Sequence, residues 1–215
     1  MTLDFSTRFN IDYLKALKIT KKEQPNVWKT FCFDVPSFDC FFLKRFISSK
    51  ALFLQKKYLK IIRSSAAKYQ DWWMELNSKI LIFLKKMFFI DINVRIRAYV
   101  CVTPLYTRNI IKKRFLIPTN LPKKRFAEIV LHELSHFFFF NSLKSYKIKP
   151  NYKMWCISEM IVPFLLNKYF NEDAFDSYIK ANIKQQQIIR NWIEGQMSFK
   201  QMINTLYMEV DNGKI

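Results

Sequence analysis

Glycine is almost missing from this chain. Only Gly195 and Gly213 occur in 215 residues, so there is no glycine-rich loop to cradle a phosphate, and nucleotide-binding readings of that kind fall away. The same scarcity favours helices with short connections over a multi-hairpin β protein. Cysteine is sparse too: Cys32, Cys40, Cys101 and Cys156 contain no C-x-x-C pair. That excludes a zinc-ribbon pattern and a disulfide-dense scaffold, and free, mostly buried thiols in a reducing compartment are expected. No apolar run approaches the roughly 18 residues of a membrane-spanning helix; the richest, 80–90, is interrupted by Lys85 and Lys86. The start, Met1-Thr2-Leu3-Asp4-Phe5, lacks the basic and apolar regions of a signal peptide. A soluble cytoplasmic protein with no transmembrane segment is expected.

Acidic residues are in deficit, 17 against 36 Lys and Arg, for a net charge of +19. Such a balance points to nucleic acid, an anionic membrane surface or an acidic partner. The lysines are spread along nearly the whole chain beside abundant Ile, Phe and Asn, a distribution that AT-rich coding bias also produces, so both explanations stay open. What is plentiful is apolar: half the residues are hydrophobic and 22 are Phe, ample for a buried core and contrary to disorder.

Periodicity divides the chain. Residues 39–49, 50–69 and 71–89 read as helices, the last with Trp72, Leu76, Ile80, Phe83 and Met87 at steps of three and four. Residues 93–103 alternate and are rich in β-branched side chains, which predicts a strand closed by Pro104, and 113–118 reads as a second short strand. Asn120 or Thr119 followed by Pro122 starts a helix over 122–141. Helices over 155–170, 173–194 and 198–210 follow, the last capped by Ser198. The fold class expected is α+β and mostly helical, with an N-terminal helical region (1–90) packed on a C-terminal domain (91–215).

Histidine is the rarest chemistry-bearing residue, and both copies fall in His132-Glu133-Leu134-Ser135-His136. Chance placement would produce this H-E-x-x-H arrangement roughly once in three thousand such sequences. One helical turn separates the imidazoles, so they project from one face and can grip a single zinc ion. Glu133 stands between them, where a general base for a zinc-activated water is needed.

Two histidines do not complete a catalytic zinc site, which takes three protein ligands and keeps one position open. With no third His, the remaining ligand is a carboxylate or a thiolate. Glu159 stands out because Trp155-Cys156-Ile157-Ser158-Glu159-Met160-Ile161-Val162 is otherwise an apolar helical segment, where an ionised carboxylate is costly unless a cation compensates it. Cys156, one turn earlier, is the alternative, and a solvated or Lys-paired Glu159 is the plain reading. Glu128, one turn before His132, either touches the site or pairs with a nearby base.

In these residues the chain resembles the gluzincin group of zinc metallopeptidases, which combine an H-E-x-x-H helix with a Glu from a second helix downstream and place a small sheet before both. Residues 158–167 also look like small bacterial proteins of this type. The resemblance covers roughly the C-terminal 120 residues and implies a zincin-like domain: a small sheet, the motif helix, then the Glu-bearing helix. It further implies zinc held by His132, His136 and Glu159, with Glu133 passing a proton from water to the leaving amine of a peptide or protein substrate. Many members stabilise the oxyanion with a downstream His or Tyr; here that role falls to Tyr152, Tyr169, Tyr178 or Arg190. Where the group has an acid one turn after the zinc Glu, this chain has Pro163, so the partner that orients His132 or His136 comes from elsewhere. By analogy with the group, a strand such as 97–103 would align an extended peptide. Two other classes remain: a DNA-associated H-E-x-x-H protein, which the charge permits, and a non-catalytic zinc-stabilised binding protein, against which an intact Glu133 argues.

Overall fold

A computed structural model describes residues 1–7, 56–101, 108–173, 175–176 and 181–210. Within them the protein is mostly helical with one small sheet, an α+β architecture. The element order is β1 (Thr2–Ser6), α1 (Leu59–Phe88), β2 (Arg95–Cys101), β3 (Arg108–Asn109), β4 (Arg114–Pro118), α2 (Lys123–Ser145), α3 (Tyr152–Phe170), α4 (Ile183–Ile193) and α5 (Phe199–Glu209). The helix expected at 39–49, Cys32, Cys40 and Tyr178 lie outside the described residues. No helix among those described is long and apolar enough to cross a membrane.

The chain divides into two compact units whose sequences interleave: residues 1–75 with 93–126, and 76–92 with 127–215. The first holds the sheet, in the order β1-β2-β4-β3. Strands β1 and β2 pair in parallel, as do β2 and β4, while β3 runs antiparallel to β4. Expected strands 93–103 and 113–118 correspond to β2 and β4. Neither β1 nor the two-residue β3 stands out in the sequence, because so short a segment becomes a strand only through the neighbour it pairs with. Strand β2 buries Ile96, Ala98 and Val100 and exposes Arg95 and Arg97, the alternation expected of it. It is an interior strand. β1 pairs with 95–99 and β4 with 97–101, so within the expected peptide-aligning strand 97–103 both edges are taken over 97–99, while 102–103 lie outside the described residues.

Helix α1 is continuous where two helices were expected, at 50–69 and 71–89. Nothing between Leu59 and Phe88 breaks a helix, since the segment has neither Pro nor Gly. Its buried side also sits about one position round from the expected stripe. Ile62, Ala66, Tyr69, Trp73, Ile80, Leu84 and Met87 are buried, whereas Trp72, Leu76 and Phe83 are half-buried. In the first unit Tyr69 is fully buried and stacks on Phe126 with ring centroids 4.9 Å apart. Its hydroxyl donates to the Pro118 carbonyl at 2.7 Å and accepts from the Leu121 N–H at 2.9 Å. Ser65, one turn earlier, accepts from the Asn120 N–H at 3.2 Å. These bonds tie the turn before α2 to α1, so Asn120 takes a positive φ of 56° there instead of capping the helix.

The second unit is built on aromatic packing. Phe88 lies 6.0 Å from Phe138, 5.5 Å from Trp192 and 5.6 Å from Phe199 (ring centroids), and Phe139 lies 5.7 Å from Phe199. Each fully buried Phe contributes about 2–3 kcal/mol by area, so this cluster helps hold α2 together with α4 and α5. Helix α2 is buried nearly all round from Phe126 to Phe140, a stretch that includes four consecutive Phe, Phe137 to Phe140. Its length exceeds the expected 122–141 by one turn.

Helix ends follow capping chemistry. Asn151, Asn182 and Ser198 cap α3, α4 and α5, the last two as full capping boxes with Gln185 and Gln201. Asn182 explains why α4 begins at Ile183, later than the 173–194 reading. At the C-termini of α2 and α4 the chain turns through Lys147 (φ 57°) and Gly195 (φ 82°). Backbone bonds Ile148→Leu143 and Lys147→Lys144 close one, Gln196→Asn191 and Gly195→Trp192 the other, which is the Schellman pattern. With so few glycines, Lys147 and Asn171 (φ 54°) take left-handed positions that glycine usually fills.

Candidate metal centre

The motif and Glu159 meet within the second unit. His132 and His136, one turn apart on α2, bring their Nε2 atoms to 3.2 Å. From α3, Glu159 Oε2 lies 3.6 Å from His136 Nε2 and 4.0 Å from His132 Nε2. Together they form the one metal-capable His/Cys/Asp/Glu cluster found among the described residues. Cys156 is not part of it; it is a buried thiol outside any disulfide, as is Cys101. This arrangement needs no special backbone. Helical periodicity stacks the two imidazoles, and the Asn151 cap together with the buried face of α3 sets the height at which Glu159 arrives.

The donor set can be tested against a cation by its own dimensions. A point equidistant from the three atoms lies about 2.1 Å from each, within the range for zinc–imidazole and zinc–carboxylate bonds. Two nitrogens and one oxygen also suit Zn2+ and its first-row neighbours better than Ca2+ or Mg2+, which ask for oxygen-rich shells. The surroundings are graded. The His136 side chain is 0% exposed, whereas His132 is 34% and Glu159 39% exposed. One side of the cluster therefore faces packed protein and the other faces solvent, as an open coordination position requires. Glu133 is almost wholly buried and places Oε1 4.0 Å from His132 Nε2. Glu128 is buried one turn before His132.

Two neighbours on α3 were not legible as site residues. Ser158 Oγ lies 3.1 Å from His136 Nδ1 and donates to the Trp155 carbonyl at 2.8 Å. The Trp155 ring lies nearly parallel to His136, at 10° and 6.0 Å between centroids. The one sequence signal for Ser158 is its place beside Glu159, since serine alone in a helix carries no such meaning.

The oxyanion candidates sit in defined environments. Tyr152 is largely exposed, and its phenol is pushed up chiefly by a hydrogen bond to Cys156. Tyr169 packs edge-on against Phe83 at 5.2 Å and Phe170 at 4.9 Å, and burial raises its phenol. Arg190 lies over the Phe164 ring at 5.7 Å. Comparison with protein-family models, curated proteins and solved structures finds no match to this chain.

Proposed function

We propose that this protein is a zinc-dependent peptidase of the gluzincin type, with His132, His136 and Glu159 as the zinc ligands and Glu133 as the general base. The observation that carries the reading is the convergence of Glu159 from α3 on the two α2 imidazoles, with Glu133 Oε1 4.0 Å from His132. The order of elements supports it: a small sheet, the motif helix, then the Glu helix match the zincin-like arrangement. Zinc, when bound, supplies a Lewis acid that brings the pKa of water down towards ~7. Glu133 accepts the proton of the attacking water and delivers it to the leaving amine. Its burial keeps the carboxylate in one place. A site that only stabilised the fold would need no base there.

The test is zinc content by elemental analysis on wild type, His132→Ala and Glu159→Gln, with folding checked by circular dichroism. One zinc per wild-type chain, lost or weakened in both folded variants, is expected. Glu133→Gln should keep the metal and abolish cleavage in a peptide screen. Wild type that takes up no zinc after reconstitution would overturn the proposal.

A further inference from the structure

One turn of α3 encloses His136 on three sides. The Trp155 ring lies parallel to its face, Ser158 Oγ stands 3.1 Å from Nδ1, and Glu159 Oε2 stands 3.6 Å from Nε2. The imidazole is fully buried, so its partners decide where its proton resides.

Ser158 has a single hydroxyl proton. The Trp155 carbonyl, 2.8 Å away, can only accept, so that proton lies between Ser158 and Trp155. Towards His136 the serine therefore offers a lone pair, and the 3.1 Å contact requires a proton on Nδ1. In a neutral ring this leaves Nε2 bare, facing His132 Nε2 and Glu159 Oε2.

We propose that Ser158 is a positioning residue that fixes His136 as the Nδ1–H tautomer, so that its Nε2 lone pair is aimed at the cation shared with His132 and Glu159. The value of this arrangement for metal binding rests on the zinc reading above; the tautomer itself does not. A hydroxyl achieves the orientation without adding charge, unlike the carboxylates that often orient metal-bound histidines.

The test uses the full chain with 15N-labelled imidazoles, stripped of metal by chelator, as wild type, Ser158→Ala and Ser158→Thr. Long-range 1H–15N correlation identifies the protonated nitrogen of each histidine, and competition with a chromophoric chelator gives the zinc affinity. Wild type and the Thr variant should show His136 protonated at Nδ1. The Ala variant should show a mixture at His136 and bind zinc about 10–100-fold more weakly. A wild-type His136 protonated at Nε2, an Ala variant unchanged in both readouts, or a folded Thr variant behaving like Ala would each overturn the assignment. Wild type with the expected tautomer but no zinc affinity would overturn the peptidase reading and leave the tautomer lock standing.

Discussion

Replacing Tyr69 by Phe isolates one pair of hydrogen bonds in the first unit. The ring remains, so its packing on Phe5, Trp72 and Phe126 is unchanged. Only the hydroxyl is lost, and with it the 2.7 Å bond to the Pro118 carbonyl and the 2.9 Å bond from the Leu121 N–H. An unmade bond at a buried group costs about 1–3 kcal/mol. Removing the hydroxyl's own desolvation offsets about 1 kcal/mol. With two bonds lost, the net expectation is a loss of about 1–5 kcal/mol, or about 2–4 °C in Tm per kcal/mol for a chain of this size. Urea unfolding followed by circular dichroism should show a lower midpoint with an unchanged slope. Tyr207→Phe is the control, because its hydroxyl accepts an exposed 3.2 Å bond from Asn151 and should change stability by under about 0.5 kcal/mol. A Tyr69→Phe loss no larger than that of the control would refute the stabilising role of these two bonds.

Other consequences can be measured on the same protein. Ser142 is fully buried, and its hydroxyl finds no partner among the described residues; Ser142→Ala should raise the urea midpoint by about 1–2 kcal/mol of stability, through relief of desolvation and better helix propensity. A clear loss instead would show that the hydroxyl is bonded. Lys147 is exposed with a φ of 57°, so Lys147→Gly should stabilise by about 0.5–1 kcal/mol, read as a rise in Tm; a fall would mean that the turn carries no strain. Burial raises the Tyr169 phenol above its ordinary value, which favours the neutral form in the fold. Its contribution is therefore complete below pH ~10 and lost as pH rises through the folded value. Tyr169→Phe should gain on wild type in urea melts at pH 11 relative to pH 9; an equal difference at both would discount the shift. If the zinc site forms as proposed, zinc at a hundred times its dissociation constant should add about 2.7 kcal/mol to wild type and none to His136→Ala.

The site was legible in the sequence where its logic is local. His132 and His136 share a helix face because four residues make about one turn, and that follows from the order of residues alone. Glu159 was singled out as a buried charge in an apolar helix; the structure instead leaves its side chain 39% exposed while bringing it to the two imidazoles. The Ser198 cap and the alternation in β2 are local signals of the same kind. What the sequence did not reveal depends on partners far along the chain. Thr2–Ser6 becomes a strand because β2, some ninety residues on, supplies its hydrogen bonds. The side that α1 buries was decided by packing, whereas its continuity follows from the lack of a helix breaker between Leu59 and Phe88. Strand pairing decided the interior position of β2, which takes both its edges over 97–99. Ser158 is the sharpest case. Residue order placed it beside Glu159, but its role depends on α3 lying against α2 so that one hydroxyl meets one ring nitrogen. Spacing along a helix is set by the backbone repeat, whereas the nitrogen that carries a proton is set by an atom 22 residues away, and only the tertiary structure brings that atom within reach.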